Sequence, residues 1–404
     1  MIKCIDVSDL KVGMFVDDLN CDWSSHPFFR KSFLLKNEQE IEKIVAAGIH
    51  EVYIDTSKGL DVKHARTAEE VKVSLEKEMI EALSQEQALP LKVELADEMS
   101  RAARIKNQAH ELVKTVMQDV RLGKAVELEK VDPMIESITE SLLRNGGALL
   151  TLLRIKHKDD YTFLHSVSVG TLMIAFCRSV GMDRETIHLA GMGGLLHDTG
   201  KALVPDEVLN KPGRLTEAEF DIMKRHPRDG FDILCRTDGI DEIPLDITLH
   251  HHERIDGSGY PHHLKGDTIS TLAKMAAIVD VYDAITADRC YHKGMPATDA
   301  LRKIYEWSKY HFDPKLVQAF MRCVGIYPVG TLVRLESGRL GVVVEQNEGS
   351  LLQPKIKTFF SAKSGVYLTP EIVDLSKPLG FGGGDKIVSH ENPEQWQLNP
   401  LRFM

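Results

Sequence analysis

The chain has 404 residues, 43% hydrophobic and 27% charged, with a formal net charge of −10. Such a length suits two or three domains, and the acidic balance argues against broad affinity for duplex nucleic acid, which is bound by neutralising its phosphates. No apolar run approaches the roughly 20 residues that span a bilayer, and none of the six cysteines forms a CxxC pair. These features exclude a membrane span, a zinc ribbon and a disulfide framework.

In chain order, residues 1–64 read as a small α+β module. Strand character at 12–16 and 32–35 is followed by Asn37 with Glu40 three residues on, a capping-box pattern that opens a helix through Ala47. Gly48 ends that helix and 51–54 returns as a strand. Nothing there suggests chemistry, so a docking or regulatory module is expected. Residues 65–154 are helical and heavily charged, with Ile105, Ala109, Leu112, Val116 and Val120 on one apolar face. They read as a connector.

Residues 155–324 carry the chemistry and are helical by periodicity. Thr216 with Glu219 predicts a capping box for a helix that carries His226. Asp313-Pro314 predicts an N-cap followed by proline at the first helical position. From 325 to 404 the pattern turns to strands: 332–335 and 340–344 flank a Ser337-Gly338 turn, with further strands at 355–360 and 371–374. The run 380–384 lacks the lysine-serine ending of a phosphate loop and any following helix pattern, so it reads as a flexible turn. The fold class is therefore mainly α, with a small N-terminal α+β module and a C-terminal β-rich extension. The first residues lack the apolar stretch of a signal peptide, and the chain reads as cytoplasmic.

Two runs concentrate metal ligands: His197-Asp198-Thr199-Gly200-Lys201 and His251-His252 ahead of a glycine-rich tail ending Gly259-Tyr260-Pro261. The apolar stretch 190–196 predicts a buried helix carrying His197 and Asp198. Neighbours on a helix point about 100° apart, so the pair suits two ions, the imidazole on one and the carboxylate bridging both. Lys201 falls on the same face, suited to phosphate binding or leaving-group protonation. His165, His226 and Asp280 extend the set to five histidines and two carboxylates. That mixture suits two divalent transition metals, iron or manganese first, nickel or zinc as the other candidates. Two metals sharing a water generate hydroxide near neutral pH and clamp phosphoryl oxygens. The reaction class expected is metal-dependent hydrolysis of a phosphate ester.

Residues 159–324 resemble the HD-GYP family of bacterial cyclic-dinucleotide phosphodiesterases, a branch of the HD phosphohydrolases. The resemblance rests on four ordered motifs: 197–201, 211–216 (Lys-Pro-Gly-Arg-Leu-Thr), 251–261, and 280–286 (Asp-Val-Tyr-Asp-Ala-Ile-Thr). It implies a helical bundle with ligands projecting inward, and metal ligands at His165, His197, Asp198, His226, His251, His252 and Asp280. Asp198 and Lys201 become the catalytic pair, with Lys201 also contacting the scissile phosphate. Arg289 and His292 fall at basic substrate-contact positions. Tyr260 either packs on substrate or orders the loop. The substrate implied is cyclic di-GMP, hydrolysed to pGpG and on to GMP in some members, or a mixed guanine-adenine cyclic dinucleotide. A silent adaptor that binds a cyclic dinucleotide or a GGDEF-type partner is the alternative from another class; retention of all seven ligand positions favours an enzyme. Tyr161 stands where some members carry a glutamate for a third metal, which favours two, and His292 stands where arginine or lysine is commoner.

Overall fold

The computed structural model describes residues 1–21, 28, 32–83, 93, 95–154, 161–287, 294–347, 350–379 and 382–404. The N-terminal module comprises β1 (Ile2–Asp6), β2 (Phe15–Asp18), β3 (Phe33–Leu34), α1 (Glu38–Ala46) and β4 (Glu51–Asp55). Its antiparallel sheet runs β1-β4-β2-β3. The strand expected at 12–16 starts only at Phe15, because Gly13, at φ 96°, turns the chain. Asn37 caps α1 by accepting from the Glu40 amide at 3.0 Å. The Glu40 carboxylate reaches back to the Lys36 amide, one residue earlier than a capping box requires.

Among the described residues, helices follow: α2 (Ala68–Leu83), α3 (Leu95–Arg121), α4 (Leu128–Arg154), α5 (Tyr161–Ser179), α6 (Arg184–Leu196), α7 (Asp206–Leu209), α8 (Glu217–Met223), α9 (His226–Leu234), α10 (Glu242–His250), α11 (Thr271–Thr286), α12 (Ala297–Trp307) and α13 (Pro314–Val324). Two of them form the axis of the bundle. On α5 every residue from 164 to 174 is buried, and on α11 every residue from 275 to 284. Helices apolar on all sides belong at the centre.

The apolar face of α3 (Ala102, Ile105, Ala109, Val113, Val116, Val120) shares one core with α4, α5 and α6. A second core joins α5, α11, α12 and α13 around Phe176 and Phe320, whose ring centroids lie 5.3 Å apart. Phe320→Ala should cost about 3–5 kcal/mol in urea unfolding, the usual loss for a buried aromatic; a change below about 1 kcal/mol would mean that Phe320 is not packed in this second core.

Asp313 caps α13 as expected, accepting from the amides of Lys315 and Leu316 ahead of Pro314 at the first position. The chain closes with an antiparallel sheet of β5 (Leu332–Leu335), β6 (Arg339–Asn347), β7 (Ser350–Ser361), β8 (Val366–Asp374) and β9 (Ile387–His390), in the order β8-β7-β6-β5-β9. The β5–β6 hairpin turns at Ser337-Gly338, and the strands expected at 355–360 and 371–374 lie within β7 and β8. Of the glycine run, residues 380 and 381 lie outside the described residues; Gly382 and Gly384 adopt positive φ, as a turn requires. Among the described residues, no helix is long and apolar enough to cross a membrane.

Candidate metal centre

The ligand-type residues come from the ends and inner faces of different helices. His165 lies on α5 and Asp280 on α11, both facing inward and buried. His197 and Asp198 do not lie together on a continuous helix as the sequence suggested. α6 ends at Leu196, His197 caps it, and Asp198 opens a short 3-10 turn over Thr199–Leu203. The reason is steric: that turn runs against α9 so closely that a Cβ on Gly200 would sit 2.0 Å from the His226 carbonyl oxygen. The Thr216–Glu219 capping box is present, but α8 stops at Met223. His226 instead starts α9, followed by Pro227 in the first turn. Pro227 has no amide hydrogen to donate to the Met223 carbonyl, which accepts from His226 Nδ1 instead, so the helical ladder is interrupted there. His251 and His252 follow the last turn of α10.

These breaks bring the set together. Among the described residues, His165, His197 and Asp280 form one group with donor atoms within 4.8 Å of one another; His226, His251 and His252 form a second; and His197, Asp198 and His251 join them. Asp198 faces both sides. Its Oδ2 lies 3.3 Å from His197 Nε2 and 3.6 Å from His165 Nε2, and its Oδ1 lies 3.3 Å from His226 Nε2. Asp280 spans a similar gap, with Oδ1 3.0 Å from His165 Nε2 and Oδ2 3.7 Å from His252 Nδ1.

The outward nitrogens fix the tautomers. Nδ1 of His197, His226 and His251 donates to the carbonyl oxygens of Gly194 (2.7 Å), Met223 (2.7 Å) and Thr248 (2.9 Å). A carbonyl only accepts, so Nδ1 carries the hydrogen and each Nε2 turns a lone pair inward. Acceptors then face acceptors: His226 Nε2 lies 3.3 Å from His251 Nε2 and 3.3 Å from the Asp198 carboxylate. His197 Nε2, Asp198 Oδ1 and both ring nitrogens of His252 are buried without a hydrogen-bond partner. A buried cluster of inward lone pairs is costly unless a cation sits among them.

Protons do not supply that cation on the second group. Burial, reinforced by the charge of Lys201, pushes the His226 imidazole down to about 4. Burial and the neighbouring histidines hold His251 and His252 well below the ordinary imidazole value. Burial opposes ionisation of Asp198 and Asp280, but the surrounding imidazoles, with Lys201 for Asp198, outweigh it and hold both well below the usual carboxylate range. The donor set therefore fits divalent metal ions, which neutral imidazole and ionised carboxylate bind.

Lys201 donates to Asp198 Oδ2 at 2.6 Å, so its ammonium is committed to the carboxylate at the centre of the cluster. Tyr260 is buried, its ring stacks on His252 at 4.7 Å, and its amide donates to the His252 carbonyl at 3.2 Å, contacts that tie it to the loop. Arg289 and His292 lie outside the described residues, as does the side chain of Tyr161.

Two residues with structural influence on the site were not singled out from the sequence. Asp283 Oδ2 lies 2.7 Å from His165 Nδ1; its signal was the i+3 spacing from Asp280, which puts both on one helical face. Glu253, also buried, accepts from the His262 amide at 2.7 Å and the Leu264 amide at 3.0 Å, closing the glycine-rich loop on itself. No spacing rule announces that role.

Fold and donor set together define an HD-type domain. A family model described as HD domain matches residues 152–316, and one described as a domain of unknown function (DUF3391) matches residues 2–131. A cyclic di-GMP phosphodiesterase of Pseudomonas aeruginosa is 44% identical over 100% of this chain and 95% of its own length. A cyclic di-GMP phosphodiesterase response regulator of Xanthomonas campestris is 37% identical over 49% of this chain and 53% of its own. A 3'3'-cGAMP-specific phosphodiesterase of Vibrio cholerae is 39% identical over 31% of this chain and 24% of its own. The chain belongs to the HD-GYP branch of the HD-domain family.

Proposed function

We propose that this chain is a metal-dependent phosphodiesterase that hydrolyses cyclic di-GMP to linear pGpG. The observation that carries the reading is Asp198, buried between the two histidine groups with one carboxylate oxygen facing each. The full-length likeness to the Pseudomonas protein supports the substrate. His165, His197 and Asp280 would hold one metal, His226, His251 and His252 the other, with Asp198 shared. Metals held there would acidify water and offset the charge that develops on the phosphoryl oxygens.

The protein's own groups do the rest. Asp198, held ionised, gives the cluster a fixed negative centre that keeps two cations close. Lys201 brings a positive charge to the same centre, where it can bind a phosphoryl oxygen or protonate the departing 3'-oxygen. Hydrolysis adds one water: a P–O bond forms at the attacked phosphorus, the bond to the 3'-oxygen breaks, and that oxygen takes a proton. Burial of the cluster excludes bulk water and strengthens these interactions. Arg289 is proposed to hold a substrate phosphate or a guanine.

The test is product chromatography with metal-loaded protein, offering cyclic di-GMP and 3'3'-cGAMP separately. The expected result is pGpG from cyclic di-GMP at a kcat/KM at least about tenfold above that for the mixed dinucleotide, a difference of ~1.4 kcal/mol. Preference for the mixed dinucleotide would transfer the assignment to that substrate, and turnover of neither would remove the reading.

A further inference from the structure

The glycine-rich loop is not supported by the HD helices alone. The turn between α1 and β4, in the N-terminal module, lies directly against it. A Cβ built on Gly48, which has φ 71°, would sit 2.7 Å from Ser258 Cβ, so backbone meets loop with no room between. Two residues on, His50 Nε2 lies 3.7 Å from Asp256 Oδ2, the same oxygen that lies 3.2 Å from His311 Nδ1. The His50 ring also stacks on Tyr310 at 4.1 Å. Asp256 Oδ1 accepts from the amide and hydroxyl of Ser258, at 2.9 and 2.7 Å. From that hub the loop turns back to place Tyr260 on His252.

The module that presents this turn is firmly seated. Glu306, buried on α12, accepts from the Tyr53 hydroxyl of β4 at 2.7 Å and from Asn20 Nδ2 at 2.8 Å. Asn20 Oδ1 in turn accepts from Trp307 Nε1 at 3.1 Å and Lys303 Nζ at 2.9 Å. Tyr53 is three residues from His50 on the same strand approach, so the distance from buried anchor to loop contact is short. The module also touches the other loop motif: Arg214 donates to the Phe28 carbonyl, and Lys43 pairs with Glu217 at 3.0 Å.

We propose that the N-terminal module is a standing support of the glycine-rich loop, in which Gly48 and His50 are positioning residues that seat Asp256 and Ser258 and thereby hold Tyr260 and His252 at the metal cluster. The effect on turnover rests on the hydrolase reading; the support itself does not. A half-exposed histidine and a turn glycine, neither of them in the metal-ligand groups, then govern the order of a loop that the metal cluster depends on.

The experiment uses the full chain and two readouts. In metal-loaded His50→Ala, amide hydrogen exchange across 255–261 should speed up at least about tenfold while the amides of α5 and α11 are unchanged. For cyclic di-GMP, kcat should fall about fivefold, with KM within about twofold and metal content unaltered, since a loop shifted by a fraction of an ångström misplaces reacting groups more than it weakens binding. His50→Gln, which keeps a donor toward Asp256, should recover most of both effects. Gly48→Ala should reproduce them by pushing Ser258, whereas Gly123→Ala should leave the loop untouched, because that glycine has a similar φ of 78° but nothing within 4 Å. Loop exchange unchanged in both His50→Ala and Gly48→Ala would overturn the proposal. Exchange is read without turnover, so an inactive wild type would sink the hydrolase reading and leave this measurement decisive on its own.

Discussion

Asp198→Asn is expected to lower cyclic di-GMP hydrolysis by at least about a hundredfold, the range seen when a main electrostatic element of a site is removed. The amide keeps the size of the carboxylate and loses its charge. Three consequences follow from the geometry. Lys201, whose ammonium lies 2.6 Å from Asp198 Oδ2, loses its counterion. The Nε2 atoms of His197 and His226, each 3.3 Å from an Asp198 oxygen, no longer share a negative neighbour. Two cations held close together then lack the charge between them, so metal content falls as well as rate. The fold should survive, because α6 packs through Met192, Leu195 and Leu196 into the core shared with α3 and α4. Near-native circular dichroism with low metal content is therefore the expected signature. Activity at the wild-type level, measured on protein freed of contaminating phosphodiesterases, would contradict the assignment of Asp198.

Asp283→Ala is expected to weaken metal binding about 10- to 100-fold, the usual loss when the outer partner of a metal-ligating histidine is removed. Burial opposes protonation of His165, yet its hydrogen bonds to Asp280 and Asp283 outweigh that and raise its pKa above the ordinary value. The Asp283 carboxylate, 2.7 Å from Nδ1, therefore fixes which nitrogen faces inward and adds to the ring's basicity as a ligand. Alanine leaves the ring free to rotate or to adopt the other tautomer. Because Asp283 lines an open cavity of about 1230 Å³ between the bundle and the C-terminal sheet, water can fill the vacated space and the stability cost should be small. Metal titration followed by activity is the check: a right-shifted curve that recovers at high metal supports the role, and an unshifted curve removes it.

Much of the site could be read from residue types alone, because metal ligands are restricted to a few side chains. His165, His197, Asp198, His226, His251, His252 and Asp280 were all candidates, and they converge in space. Local signals of helix entry also carried over. Asn37, Thr216 and Asp313 each cap the helix that begins after them, since a cap depends only on the next three residues. The failures are non-local. β1 pairs with β4 across nearly fifty residues of chain, and no periodicity in residues 2–6 announces it. The apolar run before His197 looked like a helix that continues, and only the approach of α9 to Gly200 explains why it stops. Asp283 and His50 act through partners far away in sequence, and Glu253 through backbone amides that no spacing rule marks, so their roles emerge only when the chain is folded.

The most direct test of the central claim is a metal titration of protein stripped with a chelator under anaerobic conditions, with metal content and pGpG formation measured on the same samples. The account predicts no hydrolysis in the stripped protein, little at one metal per chain, and full activity as the second is taken up, with iron or manganese restoring it. Binding that saturates at three metals per chain would contradict the two-metal assignment. Undiminished hydrolysis in protein verified to be metal-free would contradict the metal-dependent mechanism itself.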